Sequence, residues 1–380
     1  MITKKDTAIV IGYKGPNSTG LIRSLGEGGY DVVFASSYSK IESKHTTGYW
    51  YLPEEEEARI AALCEHLRKL PSKAALFTGD DASVQFIERH YDRLSPYCYC
   101  PTANGKLRQI ADKSVMAKIA AEVGLRAPRT AVLDLQGQVE SPIALPVILK
   151  PYAGLAGSKS DIRICRTEEE FRAAVDYLRQ NGYTRILVQQ LLDGDDLQDI
   201  CAMGFSLPDG TVKIPCAIRK IRSYPLKQGS LSFGRVDEGA LGDTKGPLEA
   251  FVRRTGYIGI FDIDMMISDG VPYFIEINYR NGQNGYVSTA AGYNIPANWF
   301  RGMQGEAMDE DGPLQPLYYM DERSDYRHIK EGAVSFKRWT QEFRMASVFA
   351  MYHRHDLRPF IRQYLRFPER WKIKRDRRAQ

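Results

Sequence analysis

From Phe261 to Ile267 the chain reads Phe-Asp-Ile-Asp-Met-Met-Ile, and after the turn residues Ser268-Asp269-Gly270 it resumes as Tyr-Phe-Ile-Glu-Ile-Asn over Tyr273–Asn278. Side chains alternate across a strand, so Asp262 and Asp264 share one face, as do Glu276 and Asn278. Paired as neighbours, the two strands bring three carboxylates and an amide together inside apolar surroundings. Such a cluster repels itself unless cations neutralise it, and oxygen donors of this kind suit Mg²⁺. An exposed amphipathic hairpin is the competing reading, and the strongly apolar flanks speak against it.

The rest of the chain reads as α/β. Thr7–Ile11 is an apolar strand, Gly20–Glu27 is helical, and Asp31–Phe34 is a second strand, an order that implies a parallel layer. A helix-spaced stretch, Ile60–Leu70, leads to a further strand, Ala74–Phe77, and this unit ends near Pro101. The first turn lacks the glycine pattern of a dinucleotide fold, and Leu21 and Ile22 stand where a P-loop needs Lys and Ser or Thr. Thr78, Asp80 and Asp81 follow a strand end, where open α/β sheets bind ligands; capping of the helix Ala82–His90 by Asp81 is the simpler expectation.

No apolar stretch reaches the roughly 20 residues of a spanning helix, and the start of the chain lacks the apolar core of a signal peptide, so a cytoplasmic protein is expected. Apart from Cys98-Tyr99-Cys100 the six cysteines are scattered, and they make neither a disulfide framework nor a zinc clamp. No Ser-His-Asp arrangement or redox pair offers a rival chemistry.

Several cations stand at positions that call for an anion. Asp112 is placed to cap a helix carrying Met116, Ile119, Ala120 and Val123 on one face, which puts Lys113 in the first turn, where the helix end is already positive. Lys150 ends the apolar strand Pro146–Leu149 and leads into a small-residue loop containing Gly154, Gly157 and Ser158, whose backbone N–H groups can approach phosphate oxygens. The strand Arg185–Leu192 then runs into the acidic turn Asp193-Gly194-Asp195-Asp196. In Arg219-Lys220-Ile221-Arg222, alternation puts Lys220 and Arg222 on one face if the segment is a strand; a solvated edge explains it as well.

This order of lysine helix, lysine strand, glycine-rich loop, hinge strand and Glu-x-Asn hairpin resembles the ATP-grasp superfamily over residues 100–300. Within it, Phe274–Gln283 and Val287–Asn294 are similar to bacterial D-aspartate ligases. The resemblance implies an α/β (α+β) ATP-grasp fold in four parts: a Rossmann-like domain (1–101), a small lid subdomain (102–190), a larger antiparallel-sheet subdomain with the metal site (191–312), and a basic, partly helical extension (313–380). By the same resemblance Lys113 and Lys150 contact ATP phosphates under a lid containing Gly154, Gly157 and Ser158. Gln189, Gln190, Leu191 and Leu192 form the adenine hinge, with Asp196 on the ribose. Glu276 and Asn278, helped by Asp262 or Asp264, hold two Mg²⁺ ions, for which Mn²⁺ can substitute. Lys220, Arg222 and Arg280 surround the transferred phosphate.

The implied activity is an ATP-dependent carboxylate–amine ligase working through an acyl phosphate, with D-aspartate and an envelope precursor as the nearest substrates by resemblance. Amino-acid ligation in secondary metabolism or on a protein tail, and a non-catalytic nucleotide-binding scaffold, are the alternatives. Small-molecule substrates are expected and nucleic acid is not; a homodimer is compatible with this reading. From Phe336 onward thirteen Lys and Arg face four Asp and Glu, a net of +9, so the overall +5 leaves −4 for the preceding part. This basic tail is compatible with peripheral contact at the inner membrane face or with arginines packed over the body.

Overall fold

The first apolar run forms β1 (Thr7–Ile11), buried at every residue, as a strand covered on both faces must be. It is flanked by α1 (Pro16–Glu27), β2 (Asp31–Ser36), β3 (Thr46–Tyr51), α2 (Glu56–Arg68), β4 (Ala74–Thr78), α3 (Asp81–Arg89), α4 (Tyr91–Leu94) and β5 (Cys98–Tyr99). The strands make a parallel sheet in the order β3-β2-β1-β4-β5. The helix after β4 is capped by Asp80, which accepts from the Ser83 N–H at 2.8 Å; Asp81 is instead its first residue, a shift of one position from the sequence expectation. All six cysteines are buried free thiols.

The computed structural model describes residues 6–37, 40–137, 139–151, 161–192, 199–226 and 229–364. After the first sheet come α5 (Leu107–Ile110) and α6 (Lys113–Glu122), and Asp112 caps α6 as its position requires, accepting from the Ser114 N–H at 2.8 Å. An antiparallel four-stranded sheet follows, formed by β6 (Thr130–Asp134), β7 (Val147–Pro151), β8 (Arg163–Cys165) and β9 (Arg185–Gln190) in the order β6-β9-β7-β8. One face is covered by α7 (Glu168–Gln180), which begins with a Thr167/Glu170 capping box and contributes Phe171, Val175 and Leu178 to a core of its own. A separate core lets this small sheet act as one piece.

The remaining elements build the large sheet: β10 (Ile200–Ser206), β11 (Val212–Tyr224), β12 (Ser230–Val236), α8 (Lys245–Thr255), β13 (Gly259–Ser268), β14 (Val271–Asn278), α9 (Tyr286–Ala290) and α10 (Ile295–Gln304). Beyond these come β15 (Tyr318–Met320), α11 (Glu322–Lys330), α12 (Phe336–Met345), β16 (Val348–Phe349) and α13 (Arg358–Tyr364). The seven strands run β14-β13-β10-β11-β12-β15-β16, antiparallel except for the last pair. The C-terminal extension therefore supplies two strands and is built into the sheet. Ala8, Val10 and Phe77 of the first sheet share a core with Met203, Phe205 and Trp299, the Phe77 and Trp299 rings meeting at 5.1 Å.

Two buried arginines fix the extension in place. Arg222 donates to Asp325 at 2.8 and 2.9 Å and to Glu342 at 2.7 Å. Arg23 donates to Asp356 at 3.0 Å and to the Met351 carbonyl at 2.8 Å.

Candidate active site

The β13–β14 hairpin pairs Asp262 with Asn278 and Asp264 with Glu276 across the strands. All four line one cleft of about 390 Å³, together with Lys150 from the small sheet, Lys220 from β11 and Arg280 beyond β14. That volume lies in the range of small-molecule sites. Lys113, at the start of α6, stands on the neighbouring flank, in a pocket that shares Glu276 and Asn278 with the cleft. The sequence-predicted cations and acids thus converge although they come from separate elements.

The four acid and amide positions are not equivalent. Asp264 and Glu276 keep 28% and 34% of their side-chain surface exposed, whereas Asp262 is only 6% exposed. Burial, then the Asp264 charge, pushes the Asp262 carboxyl well above the usual carboxylate range. Its Oδ1 has no hydrogen-bond partner, and its Oδ2 lies 2.5 Å from where a Cβ on Gly282 would sit. Among the described residues no three His, Cys, Asp or Glu side chains form a ready metal cage. The expected three-carboxylate cluster is therefore two accessible carboxylates and an amide oxygen over a buried third acid. This hard-oxygen set fits Mg²⁺, which takes one or two carboxylates and completes its shell with phosphate and water.

Each accessible donor already faces a cation. Lys113 Nζ lies 3.1 Å from Glu276 Oε2 and Lys220 Nζ 3.3 Å from Asp264 Oδ1, while Arg280 Nη2 donates to Asn278 Oδ1 at 3.2 Å. Arg280 Nε also reaches Asp81 Oδ1 at 3.2 Å. Burial opposes the charge on Lys220, but the Asp264 and Asp199 carboxylates outweigh it and hold the ammonium above its usual pKa. Lys150 donates to Gln189 Oε1 at 2.7 Å; burial, reinforced by Lys113 and opposed by Glu276, brings its pKa down to about 8.

Other predicted positions land differently. Arg222 does not share the Lys220 face: a β-bulge between them breaks the alternation, and its guanidinium turns to Asp325 and Glu342, away from the cleft lining. The Gln189 side chain bridges Lys150 and Thr130 Oγ1, and Gln190 Oε1 accepts from the Arg129 N–H. The Leu191 N–H is donated to the Pro146 carbonyl at 3.0 Å, so of the expected hinge contacts that one is already engaged; Leu192 follows it just beyond β9. Gly154, Gly157, Ser158 and Asp196 lie outside the described residues.

Sequence reasoning passed over Asn17, Gln283 and Asn284, which also line the cleft. Asn17 on α1 is locked to the segment after the acidic hairpin by reciprocal bonds, its Nδ2 donating to the Asn281 carbonyl at 3.0 Å and its own carbonyl accepting from Asn281 Nδ2 at 2.8 Å. The only hint was the stretch ahead of Leu21 and Ile22, set aside because those two residues break a P-loop. Thr78 is buried and Asp80 is spent on capping and on the Tyr13 N–H, so of that trio Asp81 alone touches a site residue.

No protein-family model matches the chain. In sequence it is similar to the D-aspartate ligase of Enterococcus faecium (strain Aus0004), 24% identical over 283 residues that cover 70% of this chain and 67% of the relative. In structure it is similar to the L-amino acid ligase of Bacillus licheniformis, with a TM-score of 0.63 and 18% identity, covering 83% of this chain and 80% of that one. The biotin carboxylase domain of the Hydrogenobacter thermophilus 2-oxoglutarate carboxylase, solved with MgADP, ADP and bicarbonate, aligns at a TM-score of 0.61 and 15% identity over 83% of this chain and 74% of its own. A parallel α/β domain, a small sheet with its own core and a large antiparallel sheet carrying the Glu-x-Asn hairpin thus make up a fold that the chain shares with these solved enzymes.

Proposed function

We propose that this chain is an ATP- and Mg²⁺-dependent ligase that joins an amino-acid carboxylate to an amine, with D-aspartate as the first candidate acid. The observation that carries the reading is the convergence of Lys150, Lys220 and Arg280 with Asp264, Glu276 and Asn278 on one nucleotide-sized cleft, with Lys113 on its flank. Likeness to the D-aspartate ligase supports the substrate class.

In this reading a carboxylate oxygen attacks the terminal phosphorus of ATP, the bond to ADP breaks, and an acyl phosphate forms. The amine then attacks the acyl carbon, loses a proton, and expels phosphate. Phosphoryl transfer needs alignment and charge neutralisation more than covalent help, which is what Lys113, Lys150, Lys220 and Arg280 supply. Bound Mg²⁺, held by Asp264, Glu276 and Asn278, would add Lewis-acid stabilisation of the phosphate charge. Asn17, Gln283 and Asn284 add uncharged polar groups to the cleft lining, suited to hydrogen-bonding an amino acid. Hinge contacts at Gln189–Leu192 and a lid at Gly154–Ser160, both implied by the resemblance, belong to the same proposal.

Phosphate release from ATP and Mg²⁺, screened over D- and L-amino acids with and without amine acceptors, tests it. Release stimulated by D-aspartate is expected, with Glu276→Ala lowering it at least about 100-fold. Absence of stimulation by any acid, with the variant equal to wild type, removes the ligase reading.

For localisation we propose the cytoplasm, with the basic end of the chain resting on anionic lipid. No described helix is long and apolar enough to cross a membrane. Support for lipid contact comes from the surface of Lys44, Arg354, Arg358 and Arg362 around exposed Leu357, and from the seven Lys and Arg against two Asp and Glu in residues 365–380. A chain ending at Tyr364 is expected to lose binding to phosphatidylserine vesicles; equal binding would dismiss this part.

A further inference from the structure

Every accessible oxygen donor in the metal set is occupied by a cation that the nucleotide would also need. Lys113 sits on Glu276, Lys220 on Asp264 and Arg280 on Asn278, at 3.1, 3.3 and 3.2 Å. Two lysine charges face two accessible carboxylates, so the donor set is balanced before anything binds. Lys150, whose amine contacts the Gln189 amide oxygen, stands outside this pairing.

We propose that Lys113 and Lys220 are exchangeable counter-ions, leaving the metal donors for the phosphates, so that divalent ion and nucleotide favour each other's binding and either alone binds more weakly. The proposal rests on the ATP and Mg²⁺ reading above. A divalent ion arriving alone must displace ammonium groups that have nowhere better to go. A triphosphate arriving alone must pull them from carboxylates that would be left unpaired. When both arrive, the ion takes Asp264 and Glu276 and the lysines turn to the phosphate oxygens, so each ligand removes the cost of the other. Lys113, with 37% of its side chain exposed, can move without opening the core; Lys220, at 9%, is the firmer of the two.

The test uses the full chain and reads binding. Free Mn²⁺ is counted by electron paramagnetic resonance without nucleotide and with ADP, and ADP binding is followed by calorimetry with and without Mn²⁺. In the wild type each is expected to strengthen the other by at least about tenfold. Lys113→Gln is expected to tighten Mn²⁺ alone by about two- to fivefold and to shrink the mutual effect. Lys113→Arg, which keeps the ion pair, is expected to leave Mn²⁺ binding without nucleotide within about twofold of wild type. Lys118→Gln removes a charge from the same helix away from the donors and is expected to change nothing. Unchanged Mn²⁺ affinity in Lys113→Gln, or an equal gain in Lys118→Gln, overturns the exchange and leaves the ligase reading standing. Failure of ADP to bind even with Mn²⁺ overturns both.

Discussion

Lys150 shows how one residue's surroundings set a working range. Its folded-state pKa is brought down to about 8 by burial and by Lys113, against the pull of Glu276. Below that value it is an ammonium ready for a phosphate; above it, binding the anion requires taking up a proton. ADP affinity in the presence of Mn²⁺ is therefore expected to hold near neutrality and to fall by up to about tenfold per pH unit above pH 8, with proton uptake visible in calorimetry across buffers. Lys150→Gln should flatten that dependence. Gly282 is a second point of tight fit, because an added Cβ would meet Asp262 Oδ2 at 2.5 Å. Gly282→Ala is expected to cost about 1–3 kcal/mol in urea unfolding and to weaken Mn²⁺–ADP binding together.

Strand β11 carries two jobs that simple alternation would have merged. Lys220 faces the cleft, and one bulge later Arg222 faces Asp325 of α11 and Glu342 of α12. The pair is buried, Arg222 at 7% and Asp325 at 0% side-chain exposure, so removing Asp325 takes two of the guanidinium's three carboxylate bonds and the Ser232 acceptor, with Glu342 as the remaining carboxylate and no water to replace the loss. Asp325→Ala is expected to destabilise the protein by about 3–5 kcal/mol in urea unfolding, where a surface pair would cost under about 1 kcal/mol. A strand over Arg219–Arg222 was legible only as one of two open readings. The bulge was not, because a single inserted residue leaves no mark in a pattern that local charges already explain.

Across the whole molecule, the parallel domain, the small sheet and the large sheet all contribute to the cleft lining, and the C-terminal extension ties the first to the third. Its strands β15 and β16 extend the large sheet while Asp356 reaches back to Arg23 on α1 and accepts from Ser43 and the Lys44 N–H. Deleting everything after Pro313 would leave Arg23 and Arg222 without the carboxylates that pair them. A loss of cooperative unfolding is expected for that truncation, read by calorimetry. Expectations drawn from charge left the extension open between lipid contact and arginines packed over the body. Its buried acids, spaced far apart in sequence, give no periodic signal that would have placed them inside.

Periodicity and residue chemistry by themselves determined the parallel α/β start, the Asp112-capped helix with Lys113 in its first turn, and the acidic hairpin whose two strands had to pair. Those features follow from neighbours close along the chain, where backbone geometry fixes which side chains share a face. Tertiary structure alone decided that Asp262 is buried while Asp264 is open, that Arg222 leaves the site, and that Asn17 enters it. Each of those outcomes depends on elements far apart along the chain, whose distances become short only when separate sheets pack on one another.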